Sequence, residues 1–282
     1  MRSTVLLREG LREQRSTFAE RPTSERFHPC KMPVVGREKA AGILDTRVKD
    51  LGLTLEKSRF HPLIRQVLRE MRSAKIALDP VFYLSTEYGC LEGTKTIGLL
   101  WTDGFDFSWR LAKKNHIRTR TAPIIIRTLR HEVGHAFGYA HKLYQTVLFR
   151  ELFGVKGRFF DSYPEIWKPK VRDYKRLERG EVILLYATRH ADEDWAVCFE
   201  HWLTARAEGW DWRERYHGKP LVLAKLAYVE ETVERYGLAR TKVKPPSLDE
   251  PIGSVRITVR EWIRSVVEGT NYNLHVGSAV GT

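Results

Sequence analysis

Apolar positions recur along this chain with two periods. From Arg37 to about Leu51, Ala41, Leu44, Val48 and Leu51 return every three or four residues, which predicts a helix closed by Gly52. From His61 to Ser73 the same period places Leu63, Ile64, Val67, Leu68 and Met71 on one face. The pattern then changes. DPVFYLSTEYG and TKTIGLLWTDG are β-rich runs bounded by Pro, Gly and Asp, and they predict a small antiparallel sheet from Val81 to Thr86 and from Thr94 to Trp101. A long helix is predicted from Ala122 to about Leu148. The second half of VILLYATRHADEDWAVCFEHWL reads as another helix, Leu221 to Tyr236 as a third ending at Gly237, and TVREWIRSVVEG as a last one.

This ordering gives an α+β class: a small mixed or antiparallel sheet on one long helix, then a mainly helical C-terminal half. Residues 1–36 are polar and poorly periodic and read as a flexible extension; 37–240 read as the folded domain. Residues 241–282 read as a linker (KVKPPSLDEPIG), a short helix and a frayed tail. The start carries charges through any would-be apolar core, so it is not a secretory signal. No run of about 18 apolar residues is present, so no membrane span is expected. Three cysteines without CxxC spacing fit a reducing cytoplasm.

A net charge of +13 permits an anionic partner without naming one. With neither a zinc ribbon nor a helix-turn-helix in the sequence, nucleic acid is not the expected partner. Arg110 to Arg130 contains seven basic residues and no acid. It reads as a solvated face or, functionally, as a preference for acidic peptide substrates.

The chemistry concentrates in HEVGHAFGYAH, His131 to His141. His131 and His135 are four residues apart, so both imidazoles lie on one helix face and reach one ion at about 2.0–2.1 Å. Glu132 is rotated about 100° from His131 and stands beside the ion, as a general base on zinc-bound water must. The alternative is a pair of core histidines satisfied by hydrogen bonds. A single catalytic zinc needs a third protein ligand. His141 would complete HExxHxxGxxH with Gly138, the metzincin pattern. That pattern needs a downstream methionine turn, and the methionines are Met1, Met32 and Met71. Glu193 in YATRHADEDWA is the other candidate. It would give a His2Glu site, with Tyr186 seven residues earlier as a donor to the oxyanion formed when water attacks a carbonyl.

The chain also carries RHEVGHA at 130–136, LFG at 152–154, DSYP at 161–164, YATRHADEDWAVCFEHWL at 186–203, WRERY at 212–216 and KLAYVEE at 225–231. In order and spacing these resemble an uncharacterised bacterial family of zinc-binding metallopeptidases of the gluzincin type, over roughly residues 40–240. The resemblance implies a zincin-like fold and a zinc-dependent peptidase acting on peptides or proteins. It also implies His131, His135 and Glu193 as ligands, Glu132 as base and Tyr186 as oxyanion donor. The chain departs from the family twice. Ala191 stands for its Pro. Val197 stands for a Glu four residues after the ligand, an acid that in gluzincins commonly orients a ligand histidine; Asp194, Asp192 or Glu200 are the candidate substitutes, and helix geometry does not choose among them.

Overall fold

The computed structural model describes residues 42–160, 167–239, 241 and 248–268, which belong to one compact unit, Ala41–Thr282. The 1–36 extension, the middle of the aromatic connector (161–166), most of the linker (242–247) and the tail (269–282) lie outside the described residues.

The architecture is mixed α+β and mostly helical. Helix α1 (Phe60–Ser73) buries Phe60, Leu63, Ile64, Val67 and Met71 and turns Arg65, Arg69 and Arg72 to solvent, as its periodicity requires. The helix expected up to Leu51 is not continuous: the chain bends at residues 45–46, and only a tight turn forms at Val48–Asp50. Distant backbone overrides the local pattern here. Arg47 bridges Thr258, while the Val48 and Lys49 amides donate to Ile257 O and Val255 O at 2.9 and 3.0 Å.

The sheet has the order β1-β3-β2, with β1 Val81–Ser85, β2 Gly89–Cys90 and β3 Thr96–Leu100. The two sequence-predicted strands pair in parallel, Val81 opposite Thr96, and not antiparallel as expected. The reason is β2, which lies antiparallel on the far side of β3. It adds a second reversal between the two runs, so β3 returns in the direction of β1. The free side of β1 meets the C-terminal segment: Ser85 bridges Pro251, and the Tyr83 hydroxyl donates to Asp249 O at 2.8 Å.

Short helices α2 (Trp101–Gly104) and α3 (Asp106–Lys114) lead to α4 (Ala122–Ala140), which carries Pro123 in its first turn. Helix α4 ends at Ala140, short of the expected Leu148. His141 caps it and Lys142 adopts φ 52°, then α5 (Val147–Leu152) starts afresh, its Phe149 amide donating to Thr146 Oγ1. The chain continues through α6 (Val171–Glu178), a tight turn at Leu185–Thr188, α7 (Ala191–Glu208), α8 (Trp212–Arg215) and α9 (Pro220–Tyr236). The last helix, α10 (Val259–Val267), is not a loose appendage. Its Val259, Trp262 and Ile263 form a second core with Val48, Trp101 and Val255, the Trp101 and Trp262 rings meeting edge-on at 5.2 Å.

The main core lies around α1, α4, α7 and α9. Helices α4 and α7 approach closely because two glycines let them. A Cβ on Gly134 would stand 3.0 Å from Phe199 Cβ, and one on Gly138 only 2.8 Å from Trp195 Nε1. Gly134 therefore serves the helix contact; it faces α7, not an ion. Trp195 Nε1 donates to Gly134 O at 2.7 Å. Arg130 ties three helices together: both Glu70 carboxylate oxygens accept from its guanidinium at 2.8 and 2.9 Å, Thr204 at 3.0 Å and Glu208 at 3.2 Å. Lys225 on α9 donates to Asp194 Oδ2 and to Glu181 O, both at 2.6 Å, and the lysine and Asp194 are both buried.

Candidate metal centre

Helix α4 presents His131 and His135 on the face that meets the N-terminal turn of α7. That turn carries Asp192, Glu193 and Asp194 in succession, where the helix dipole favours negative charge. His190 Nδ1 caps it by accepting from the Asp192 amide at 3.1 Å. The local sequence thus builds a helix end loaded with acids and aims it at two imidazoles.

His131 Nε2 lies 3.0 Å from Glu193 Oε2 and 3.1 Å from His135 Nε2; His135 Nε2 lies 3.4 Å from Glu193 Oε2. Four ligands placed tetrahedrally at about 2.0–2.1 Å are separated by about 3.3 Å along each edge, so this triangle fits the zinc geometry. Among the described residues this is the one group of three metal-ligating side chains that converges, with all donor atoms within 4.8 Å of one another. The donor set, two imidazoles and one carboxylate, suits a borderline-soft cation of zinc's size.

Burial alone would push the Glu193 carboxyl up. Its hydrogen bonds to His131 and His135 outweigh that and hold it well below the usual carboxylate range. Burial alone would push His135 down; the carboxylates of Asp192 and Glu193 instead hold it well above the ordinary imidazole value. Glu132 is also buried. Burial raises its carboxyl, His131 and His135 partly offset this, and the backbone N–H of Cys90 on β2 donates to it. The base candidate therefore sits between the sheet edge and the histidine pair.

Tyr186, in the turn before α7, donates to Glu193 Oε1 at 2.7 Å, and burial together with the Glu193 charge raises its phenol. Arg189 reaches the same place: its Nη1 donates to the Tyr186 hydroxyl at 3.2 Å and lies 3.6 Å from Glu193 Oε1. His131, Glu132, His135, Tyr186 and Glu193 are thus gathered at one place.

His141 is not. It stacks on Tyr236 at 5.4 Å and packs against Phe137 at 4.5 Å, beyond the end of α4. Gly138, the other extra position of the longer motif, answers to Trp195. His190 is the helix cap described above. His217 is exposed, and Cys198 is buried in the core with its thiol pushed up by that burial. His201 is half-buried beside Tyr216, whose hydroxyl meets its Nδ1 at 2.6 Å. Of the basic run, Arg120 pairs with Asp103, Arg127 with Glu200 and Arg130 with Glu70, so these three bind the fold together. Arg110, Lys113, Lys114 and Arg118 are exposed.

Sequence reasoning did not find the site's other contacts. It missed β2, the Cys90 amide and Arg189, and it left open which of Asp192, Asp194 and Glu200 stands in for the acid absent at Val197. The structure places Asp192 beside the second imidazole nitrogen of His135. That nitrogen, Nδ1, lies 3.0 Å from Asp192 Oδ2, oblique to its N–H, and the same carboxylate oxygen accepts from the hydroxyl of Tyr139. Tyr139 follows His135 by four residues on α4, which was the available signal.

No family model, no curated protein and no solved structure matches this chain.

Proposed function

We propose that the protein is a zinc-dependent peptidase with a zincin-like fold and a gluzincin-type centre. His131, His135 and Glu193 would hold the ion and Glu132 would act as base. The carrying observation is the triangle of ligand atoms at 3.0, 3.1 and 3.4 Å, set beside a buried carboxylate. A zinc ion held there would supply Lewis-acid chemistry towards a peptide carbonyl and a bound water. Glu132 takes a proton from the attacking water at its carboxylate and passes it to the leaving amine. Burial raises its proton affinity, which favours its taking that proton.

Tyr186 donates to the oxyanion that forms at the carbonyl carbon. Its hydroxyl now rests on Glu193 Oε1 at 2.7 Å, so this role requires it to leave that oxygen. Tyr186→Phe separates the two positions. Loss of kcat at unchanged zinc affinity marks an oxyanion donor. Weaker zinc with little change in turnover marks a support for Glu193 and removes the phenol from the reaction.

The decisive experiment is metal analysis and peptide cleavage on the purified full chain. The wild type is expected to hold one equivalent of zinc and Glu193→Ala much less. Glu132→Gln should keep zinc and lose cleavage by a factor of 10² or more, the lower part of the range for acid–base catalysis. Full zinc occupancy in Glu193→Ala would overturn the ligand assignment, and full cleavage by Glu132→Gln would overturn the mechanism.

A further inference from the structure

A ligand histidine is oriented by whatever holds its second nitrogen. In the family that this chain resembles, the acid four residues after the ligand is expected to do this, and here that position is Val197. The side chain of Val197 is 1 % exposed and belongs to the main hydrophobic core. The chain therefore either leaves the imidazole loose or holds it from another position.

We propose that Asp192, the residue before the ligand Glu193, is the positioning carboxylate for His135, and that Tyr139 fixes it in turn. This rests on the metal-binding reading above. Asp192 is 2 % exposed, and it sits at the second position of α7 with its amide capped by His190. Its Oδ2 lies 3.0 Å from His135 Nδ1, while His135 Nε2 points to His131 and Glu193 at 3.1 and 3.4 Å. The phenol of Tyr139 donates to the same Oδ2, and its ring stacks on the His135 ring with centroids 6.0 Å apart and planes 25° apart. Two helices thus contribute to a buried chain, Tyr139–Asp192–His135.

The chemistry follows from this placement. A carboxylate facing Nδ1 keeps the proton there and leaves the lone pair of Nε2 for the ion. Its negative charge also makes that lone pair more basic. The tyrosine hydroxyl keeps the carboxylate from turning towards the ion as a fourth ligand, which would close the position that water must occupy. An acid one residue before the ligand replaces an acid four residues after it. The exchange works because α7 packs along α4: its first turn carries Asp192 to His135 Nδ1, and Val197, in the following turn, is already in the core.

The test is zinc affinity by chelator competition on the full chain, together with the visible spectrum of the cobalt-substituted protein. Asp192→Asn keeps the volume and a carbonyl acceptor for Nδ1–H; Asp192→Ala keeps neither. The expected result is graded, with zinc weakened about 10-fold in the Asn variant and up to about 100-fold in the Ala variant. The cobalt bands should shift in both, because the field of the His135 nitrogen changes. Tyr139→Phe should weaken zinc by less than either. A residue that only helps the fold would lower the melting temperature of the metal-free chain and leave zinc affinity and the cobalt spectrum of the folded fraction unchanged. That outcome overturns the proposal, as does wild-type zinc affinity in folded Asp192→Asn. A wild type that holds no zinc would instead overturn the metal-binding reading itself. If Asp192→Ala does not fold, Asp192→Asn and Tyr139→Phe still decide.

Discussion

At the scale of single residues, the site combines groups that ordinary folding physics would keep apart. Glu132, His135, Asp192 and Glu193 are all buried side chains that carry or accept charge, and each is held by a named neighbour. Removing His131 or His135 should abolish stoichiometric zinc, which elemental analysis would show. A separate pH effect belongs to His201. Burial depresses it to about 4, Glu200 opposes this, and Arg127, Arg215 and His131 add positive charge around it. Tyr216 holds its Nδ1, and burial lifts that phenol to about 12. The unfolded chain protonates this imidazole near pH 6.5 and the folded chain only near 4. Stability from His201 is therefore complete above about pH 6.5 and is lost as pH falls towards 4, by up to roughly 3 kcal/mol. His201→Gln should flatten denaturant midpoints across that window; an unchanged slope would refute the assignment.

At the scale of elements, the helix pair α4/α7 accounts for most of what the sequence showed and for part of what it hid. The His131–Glu132–His135 spacing and the acids at the start of α7 were legible because helical geometry alone places them. The close approach of the two helices was not, since it depends on Gly134 and Gly138 meeting Phe199 and Trp195, residues some 60 positions away. For the same reason Gly138 looked like part of a longer metal motif. Gly138→Ala should cost about 1–3 kcal/mol by overpacking against Trp195, read as a lower denaturation midpoint. In contrast, a variant at His141 should leave zinc content intact. The Lys225–Asp194 pair predicts a larger loss. Lys225→Met leaves a buried carboxylate without its cation, at about 3–5 kcal/mol, and Lys225→Met with Asp194→Leu should recover much of it. The strand pairing was illegible for a different reason: β2 is only two residues long, too short to show a period, yet it decides whether β1 and β3 run together or opposed.

At the scale of the whole molecule, the second core joins the start and end of the described chain. Residues near Val48 and residues 251–263 close on each other through Trp101, although more than 200 positions separate them. Sequence periodicity marked α10 as a helix and could not say what it packs on. Trp262→Ala should destabilise the protein by about 3–5 kcal/mol, the range for a large core aromatic, while leaving zinc stoichiometry unchanged in the folded fraction. Charge also reads differently at this scale. The basic run that leads into α4 loses Arg120, Arg127 and Arg130 to internal ion pairs, so the positive surface it leaves is smaller than the sequence suggests.

The clamp made by Arg130 has one more consequence. An α-helix advances 1.5 Å per residue, whereas metal–ligand distances tolerate only about 0.2 Å. The centre therefore works as a vernier between two sliding scales, and it needs a datum that stops α4 from slipping along α7. Arg130, bonded at once to α1 through Glu70 and to α7 through Thr204 and Glu208, supplies that datum one residue before His131. The alignment of His131 and His135 with Glu193 is thus set by a side chain whose bonds run to three residues outside that group.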